Sequence, residues 1–342
     1  MKATVEICVE GIRSAIAAGE GGADRIELCE NLAIGGVTPS SGTIWAAKRT
    51  TLPIQVLIRP RGGDFRYHDS EFEVMQRDVE AARMLGASGV VLGLLDSRRR
   101  VDRRRTELLL KVARPMKVTF HKAFDATVEP LQALDDLIEL GVDRILTSGQ
   151  APTAREGLPL LAELNRAAKG RISVMAGGSI GLGDIRPLLL SGISEIHVGS
   201  AACRDGSTDL GLVRKIVEAA SISEIFHITS RTDWERAVSE GVYRADSLAS
   251  DGFIHGSTSE QLAGSANRFF QGRFDLVVLR IVPGRLRSPI QWVASADSDY
   301  PFPHIHGPVD LDAVTDVFPM ETDLQGTFRW PIQPGGESGT SW

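Results

Sequence analysis

The segment "LGVDRILTSG", Leu140–Gly149, ends a helical pattern on a glycine and starts an apolar strand two residues later. A glycine just past a helix accepts the left-handed backbone that closes it, so the strand can run back alongside. The same turn recurs as "GGADRIEL" (21–28), "LGASGVVLG" (85–93) and "SGISEIHVGS" (191–200). Strand patterns repeat around it: "ATVEICV", "ADRIELC", "PIQVLIRP", "GVVLG", "KVTFHKAF", "DRILTSG", "RISVMAGG" and "EIHVGSA". The intervening stretches carry apolar residues at i, i+3 and i+4, clearest in "PLQALDDLIELG", which opens on Pro130 and closes on Gly141. Eight alternating βα units over about 220 residues predict an α/β fold, a TIM (β/α)8 barrel. A doubly wound open sheet is the alternative.

The chain has 342 residues, which leaves room after such a barrel for a smaller second domain. Its net charge of -6 excludes nucleic acid as a bulk electrostatic partner. The run "RRRVDRRR", Arg98–Arg105, is the basic exception and reads as a solvated helix face. No stretch approaches the roughly 20 apolar residues of a membrane span, and no leader pattern follows Met1, so a cytoplasmic protein without a membrane partner is expected. Three scattered cysteines, Cys8, Cys29 and Cys203, are too few for a disulfide framework and read as reduced thiols.

Strand parity decides which side chains face the barrel axis. Val5, Ile7 and Val9 belong under the helices, leaving Glu6 and Cys8 inward; Glu27 and Cys29 follow on the second strand. The same division turns Arg59, Arg61, Thr119, His121, Thr147 and His197 towards the axis, and "KVTFHKAFD" (117–125) delivers His121 and Asp125 to a central pocket. Lys122 has the opposite parity and falls among the helices or on the rim, which weakens any Schiff-base chemistry. Structural barrels fill their axis with branched apolar side chains, so this polar set reads as a site. The competing reading is a self-paired ion network.

Two chemistries suit that set. In the first, Gly177 and Gly178 in "MAGGSI" and Gly199 in "VGSAACRDG" expose backbone N–H groups to a phosphate or other small anion. Arg59 and Arg61 would clamp that anion, His121 would act as acid or base, and Glu6, Glu27 and Asp125 would orient or share protons. In the second, Cys8 and Cys29 on neighbouring strands bind a soft ion such as Cu(I), with His121 as a third candidate ligand; the plain alternative is two small buried hydrophobes.

"RIELCENLAIGGVTPS" (25–40), "IRPRGGDFRYHDSEFEVM" (58–75), "VTFHKAFD" (118–125) and "RILTSGQ" (144–150) resemble the signature segments of the copper homeostasis protein CutC family, over residues 1–218. The resemblance implies a TIM barrel, a cytoplasmic location, self-association as a homo-oligomer such as a dimer, and a part in copper handling. Lys122 stands where that family commonly has Arg, and "AGGSI" lacks a further common Gly.

Around residue 221 the Gly-led turn is lost, so the barrel is expected over 1–220 and an α+β module over 221–332, with a Gly-, Pro- and Ser-rich flexible tail at 333–342. "IFHITSRTDWERAVSEGVYRADSLASDGFIHGSTSEQL" (225–262), "DLVVLRIVPGRL" (275–286) and "PFPHIHGPVDLDAV" (301–314) are similar to the domain of unknown function 952 family. At fold level that family resembles ADP-ribosyltransferase-like domains, which grip NAD between two short sheets. The resemblance makes His227, with Thr229, and His255 the expected pocket residues. Val293 follows Trp292 where the family usually shows Glu, which weakens a transferase role and makes a ligand-binding or interaction module the competing reading. His304 and His306 share one face of an extended segment but have no third metal ligand in view.

Overall fold

A computed structural model describes residues 2–221, 224–295, 298–322 and 327–330; the tail at 333–342 lies outside the described residues. The chain divides into two compact units, Lys2–Ser221 and the residues that follow.

The first unit is a closed parallel barrel of eight strands in chain order: β1 (Thr4–Glu10), β2 (Arg25–Cys29), β3 (Ile54–Leu57), β4 (Gly89–Leu92), β5 (Lys117–Phe120), β6 (Arg144–Thr147), β7 (Ser173–Gly177) and β8 (Glu195–Val198). The helices between them are α1 (Gly11–Glu20), α2 (Ser41–Ala47), α3 (Asp69–Met84), α4 (Arg103–Ala113), α5 (Pro130–Leu140), α6 (Leu158–Ala168) and α7 (Leu182–Leu190). A two-residue hairpin, β9 (Cys203–Arg204) and β10 (Ser207–Thr208), precedes α8 (Leu210–Ala219). Local chemistry sets the ends of these helices. Ser40, Asp102 and Asp209 accept N-terminal N–H groups, Pro130 occupies the first turn of α5, and Gly141 closes that helix at φ 78°. The outward strand residues Val5, Ile7, Val9, Ile26 and Leu28 are fully buried under the helices.

The second unit holds two three-stranded antiparallel sheets. One is β11 (Ile225–Ser230), β14 (Leu276–Ile281) and β18 (Val314–Pro319); the other is β13 (Ile254–His255), β16 (Ser298–Ile305) and β15 (Ile290–Ser295). A short pair, β12 (Val242–Tyr243) with β17 (Val309–Asp310), and helices α9 (Arg231–Glu240), α10 (Ser247–Ser250) and α11 (Ser259–Phe269) complete it. Phe226 and Ile228 on β11 pack into a core with Leu262, Ala266, Leu276 and Val278. The period of two therefore turns His227 and Thr229 to the other face.

Candidate functional site

The barrel axis carries a charged layer. Arg25 donates to Glu6 at 2.6 Å and also to Glu195, while Arg144 donates to Glu195 at 2.6 Å and to Thr119 at 3.0 Å. Ser173 donates to Glu195 as well. Burial alone would raise Glu6, but the hydrogen bond with His197 and the charge of Arg25 hold it down at about 2. Of this layer the sequence points to Glu6 and not to Arg25, Arg144 or Glu195. All three open their strands, where a charged residue resembles a turn residue; the signal is their even spacing from inward positions, Arg25 being two before Glu27.

Beyond this layer lie the thiols. Cys8 Sγ and Cys29 Sγ are 3.7 Å apart, and both cysteines are buried against Leu57 and Val91. Cys8 donates to Glu27 Oε2 at 3.3 Å. His197 joins the two carboxylates, with Nδ1 2.8 Å from Glu6 and Nε2 3.6 Å from Glu27. The hydrogen bond with Cys29, burial and the charge of Glu27 together push the Cys8 thiol well up. Burial raises Glu27; His197, which burial would lower, is raised by Glu27 and Glu6.

Among the described residues, the ligand atoms of Cys8, Glu27 and His197 lie within 4.8 Å of one another, close enough to share a metal ion. Two expected ligands are not in that group: His121, and Cys29, whose sulfur is near Cys8 alone; β8 pairs with β1, so closure of the barrel brings His197 to Cys8 instead. The donor set fits a soft cation. At a sulfur-to-metal distance of about 2.3 Å, sulfurs 3.7 Å apart subtend about 107°, a bent pair that leaves room for a further ligand.

The other expected residues are placed differently. Thr147 does not face the axis: Arg144 and Leu146 do, Arg144 reaching Glu195 and Leu146 lying where a Cβ on Gly177 would meet it at 2.5 Å. Treating Leu146 as outward because it is apolar reversed the parity of β6. Thr147 and Asp125 instead bond to each other, and the Asp125 carboxylate also accepts from the backbone N–H of Ser148 and of Gln150, so it caps the turn after β6.

The Arg59 guanidinium donates to the carbonyls of Ile34, Gly35, Gly36 and Gly63, and Arg61 is held by Glu71 and Asp64. Loop acceptors have thus taken up most of the donors expected to clamp an anion. His121 is buried, its Nδ1 accepts from Ala123 N–H at 3.1 Å, and burial with the charge of Arg59 lowers it to about 3. Lys122 is on the rim, 3.2 Å from Ser148 Oγ. Gly178, at φ 126°, is close to both: a Cβ there would come within 2.8 Å of Ser148 and 3.2 Å of Lys122 Nζ. Gly199 lies beside Cys8.

In the second unit, His227 and His255 line a cavity of about 1100 Å³ together with Thr229, Tyr243 and Val293. His304 and His306 belong to an aromatic group around Phe253, which stacks on His304 at 3.8 Å.

The barrel thus belongs to a class that carries a buried thiol pair backed by imidazole and carboxylate. Residues 3–203 match the family model of the CutC family, and the chain belongs to that family. Residues 228–317 match a second family, described as a protein of unknown function (DUF952). The chain is similar to the human "Copper homeostasis protein cutC homolog", 46% identical over 203 residues, which are 59% of this chain and 74% of that protein. A CutC family protein of Chromobacterium violaceum is 50% identical over 202 residues, 58% of this chain and 82% of that one. A solved CutC structure from Streptococcus agalactiae is 32% identical, covers 58% of this chain and 98% of its own, and has a TM-score of 0.55. Among the described residues, no helix is long and apolar enough to cross a membrane.

Proposed function

We propose that the barrel handles copper by holding Cu(I) between Cys8 and Cys29, with His197 and Glu27 gathered on the Cys8 side of the site. The observation that carries this reading is the 3.7 Å separation of two buried sulfurs on adjacent strands. Thiolates are the soft ligands that select Cu(I), and the thiol protons pass to solvent when the metal binds. The names of the relatives support copper as the cargo. The reading requires a reducing compartment such as the cytoplasm, because an oxidised pair has no thiolates to offer.

The test is Cu(I) competition against a calibrated chelator, using the full chain and its Cys8→Ser/Cys29→Ser variant. Tight binding that the double variant loses is expected, with His197→Gln weaker by about tenfold to a hundredfold. Equal affinity in wild type and double variant would sink the proposal.

A further inference from the structure

The cavity of the second unit has a directional hydrogen-bond chain along one wall. His227 Nδ1 is 2.6 Å from the carbonyl oxygen of His255, which can only accept, so Nδ1 carries a proton. Burial lowers His227 to about 4, which leaves the ring neutral at pH 7 and makes Nε2 an acceptor. The Tyr243 hydroxyl, 2.7 Å away, therefore donates to Nε2; burial pushes Tyr243 up to about 12, so it keeps its proton. With that proton committed, the 2.9 Å contact between Tyr243 and Thr229 requires the threonine to donate. The chain ends at Thr229, which is buried and lines the cavity with its hydroxyl lone pairs still unused among the described contacts.

The rest of the lining narrows what could use that acceptor. Ser230, Ser257 and Ser265 add hydroxyls, and Phe269, Phe270 and Phe302 add apolar wall. Arg244, Arg268 and Arg273 also line the cavity, and Arg244 has no ion-pair partner among the described residues. Of the other charged lining groups, Asp233 is engaged by Ser230 and Arg236, and Arg273 pairs with Asp275 at 3.4 Å. A hydroxyl donor, a compact body with apolar faces and an anionic group would match these features together.

We propose that this cavity binds a phosphorylated sugar, one sugar hydroxyl donating to Thr229 Oγ1 and the phosphate meeting the Arg244 guanidinium. The site is independent of the copper reading.

The test is calorimetric titration of the full chain with ribose 5-phosphate and glucose 6-phosphate, and separately with ribose, glucose and inorganic phosphate. At least one sugar phosphate is expected to bind about tenfold or more tightly than its sugar or phosphate alone. Thr229→Val should weaken it about tenfold, the loss of one hydrogen bond, whereas Thr229→Ser should retain it. Arg244→Ala should reduce the sugar phosphate to the affinity of the bare sugar; it lies on the surface, so it carries the test if Thr229→Val does not fold. No binding of either sugar phosphate at about 10 mM would overturn the proposal. So would affinities unchanged in both Thr229→Val and Arg244→Ala, or inorganic phosphate binding as well as the sugar phosphates.

Discussion

Arg25→Met should destabilise the barrel by about 3–5 kcal/mol at pH 7, because it strands charges that the fold has already taken out of water. Glu6 is fully buried, and Arg25 and His197 are its charged partners among the described contacts. Its pKa of about 2, against an ordinary 4.5, corresponds to about 3 kcal/mol of stabilised charge at 1.36 kcal/mol per unit. Loss of Arg25 forfeits its share of that and leaves Glu195 with Arg144 as its remaining ion-pair partner. Adding Glu6→Gln should recover part of the loss, since it removes the stranded charge, so the two substitutions should not be additive. Amide hydrogen exchange in peptides from β1, β2 and β8 reports on the barrel separately from the second unit. A loss below about 1 kcal/mol, or strict additivity in the double variant, would refute the argument.

Acid should weaken the barrel through two groups. Glu6 contributes stability that is complete above its ordinary 4.5 and lost as pH falls through about 2. His121 is held neutral, so its contribution is complete above 6.5 and lost as pH falls towards about 3; His121→Phe should flatten the measured stability between those values. Gly93→Ala should cost about 1–3 kcal/mol by thermal or urea unfolding, because a Cβ there lies 2.4 Å from His121 Nδ1 and 2.9 Å from Ala123 Cβ. The hydrogen bond with Cys29 and burial keep Cys8 a thiol at neutral pH; on the copper proposal the metal would displace its proton, and apparent Cu(I) affinity should fall at least about tenfold per pH unit on acidification. A flat affinity profile between pH 6 and 8 would count against Cys8 as a ligand.

The barrel was legible because its signal is periodic: a Gly-led turn before a short strand, repeated around one sheet, needs no tertiary information. The inward parity of Glu6, Cys8, Glu27 and Cys29 was legible for the same reason, since each shares its strand with residues that can only be core. Parity failed on β6, where Leu146 is apolar yet faces the axis. It also could not show what a side chain does after leaving its strand. Arg59 and Arg61 carry the charges of an anion clamp, but backbone carbonyls and carboxylates from their own loops take up most of their donors. His197 reads from its own strand as an anion contact; that it meets Cys8 and Glu27 follows from the pairing of β8 with β1, a property of closure and not of either strand.

That closure has a consequence for how the protein is made. Glu6 and its partner His197 are 191 residues apart, while Cys8 and Cys29 are 21 apart. During synthesis both thiols leave the ribosome long before the imidazole that will sit beside them. On the copper proposal, a nascent chain would meet the metal with its sulfurs exposed and its histidine still untranslated, and full coordination would wait on closure of the ring. A permuted chain that starts at β8 would reverse this order, delivering the histidine first and testing whether early capture of metal by the thiols helps or hinders folding.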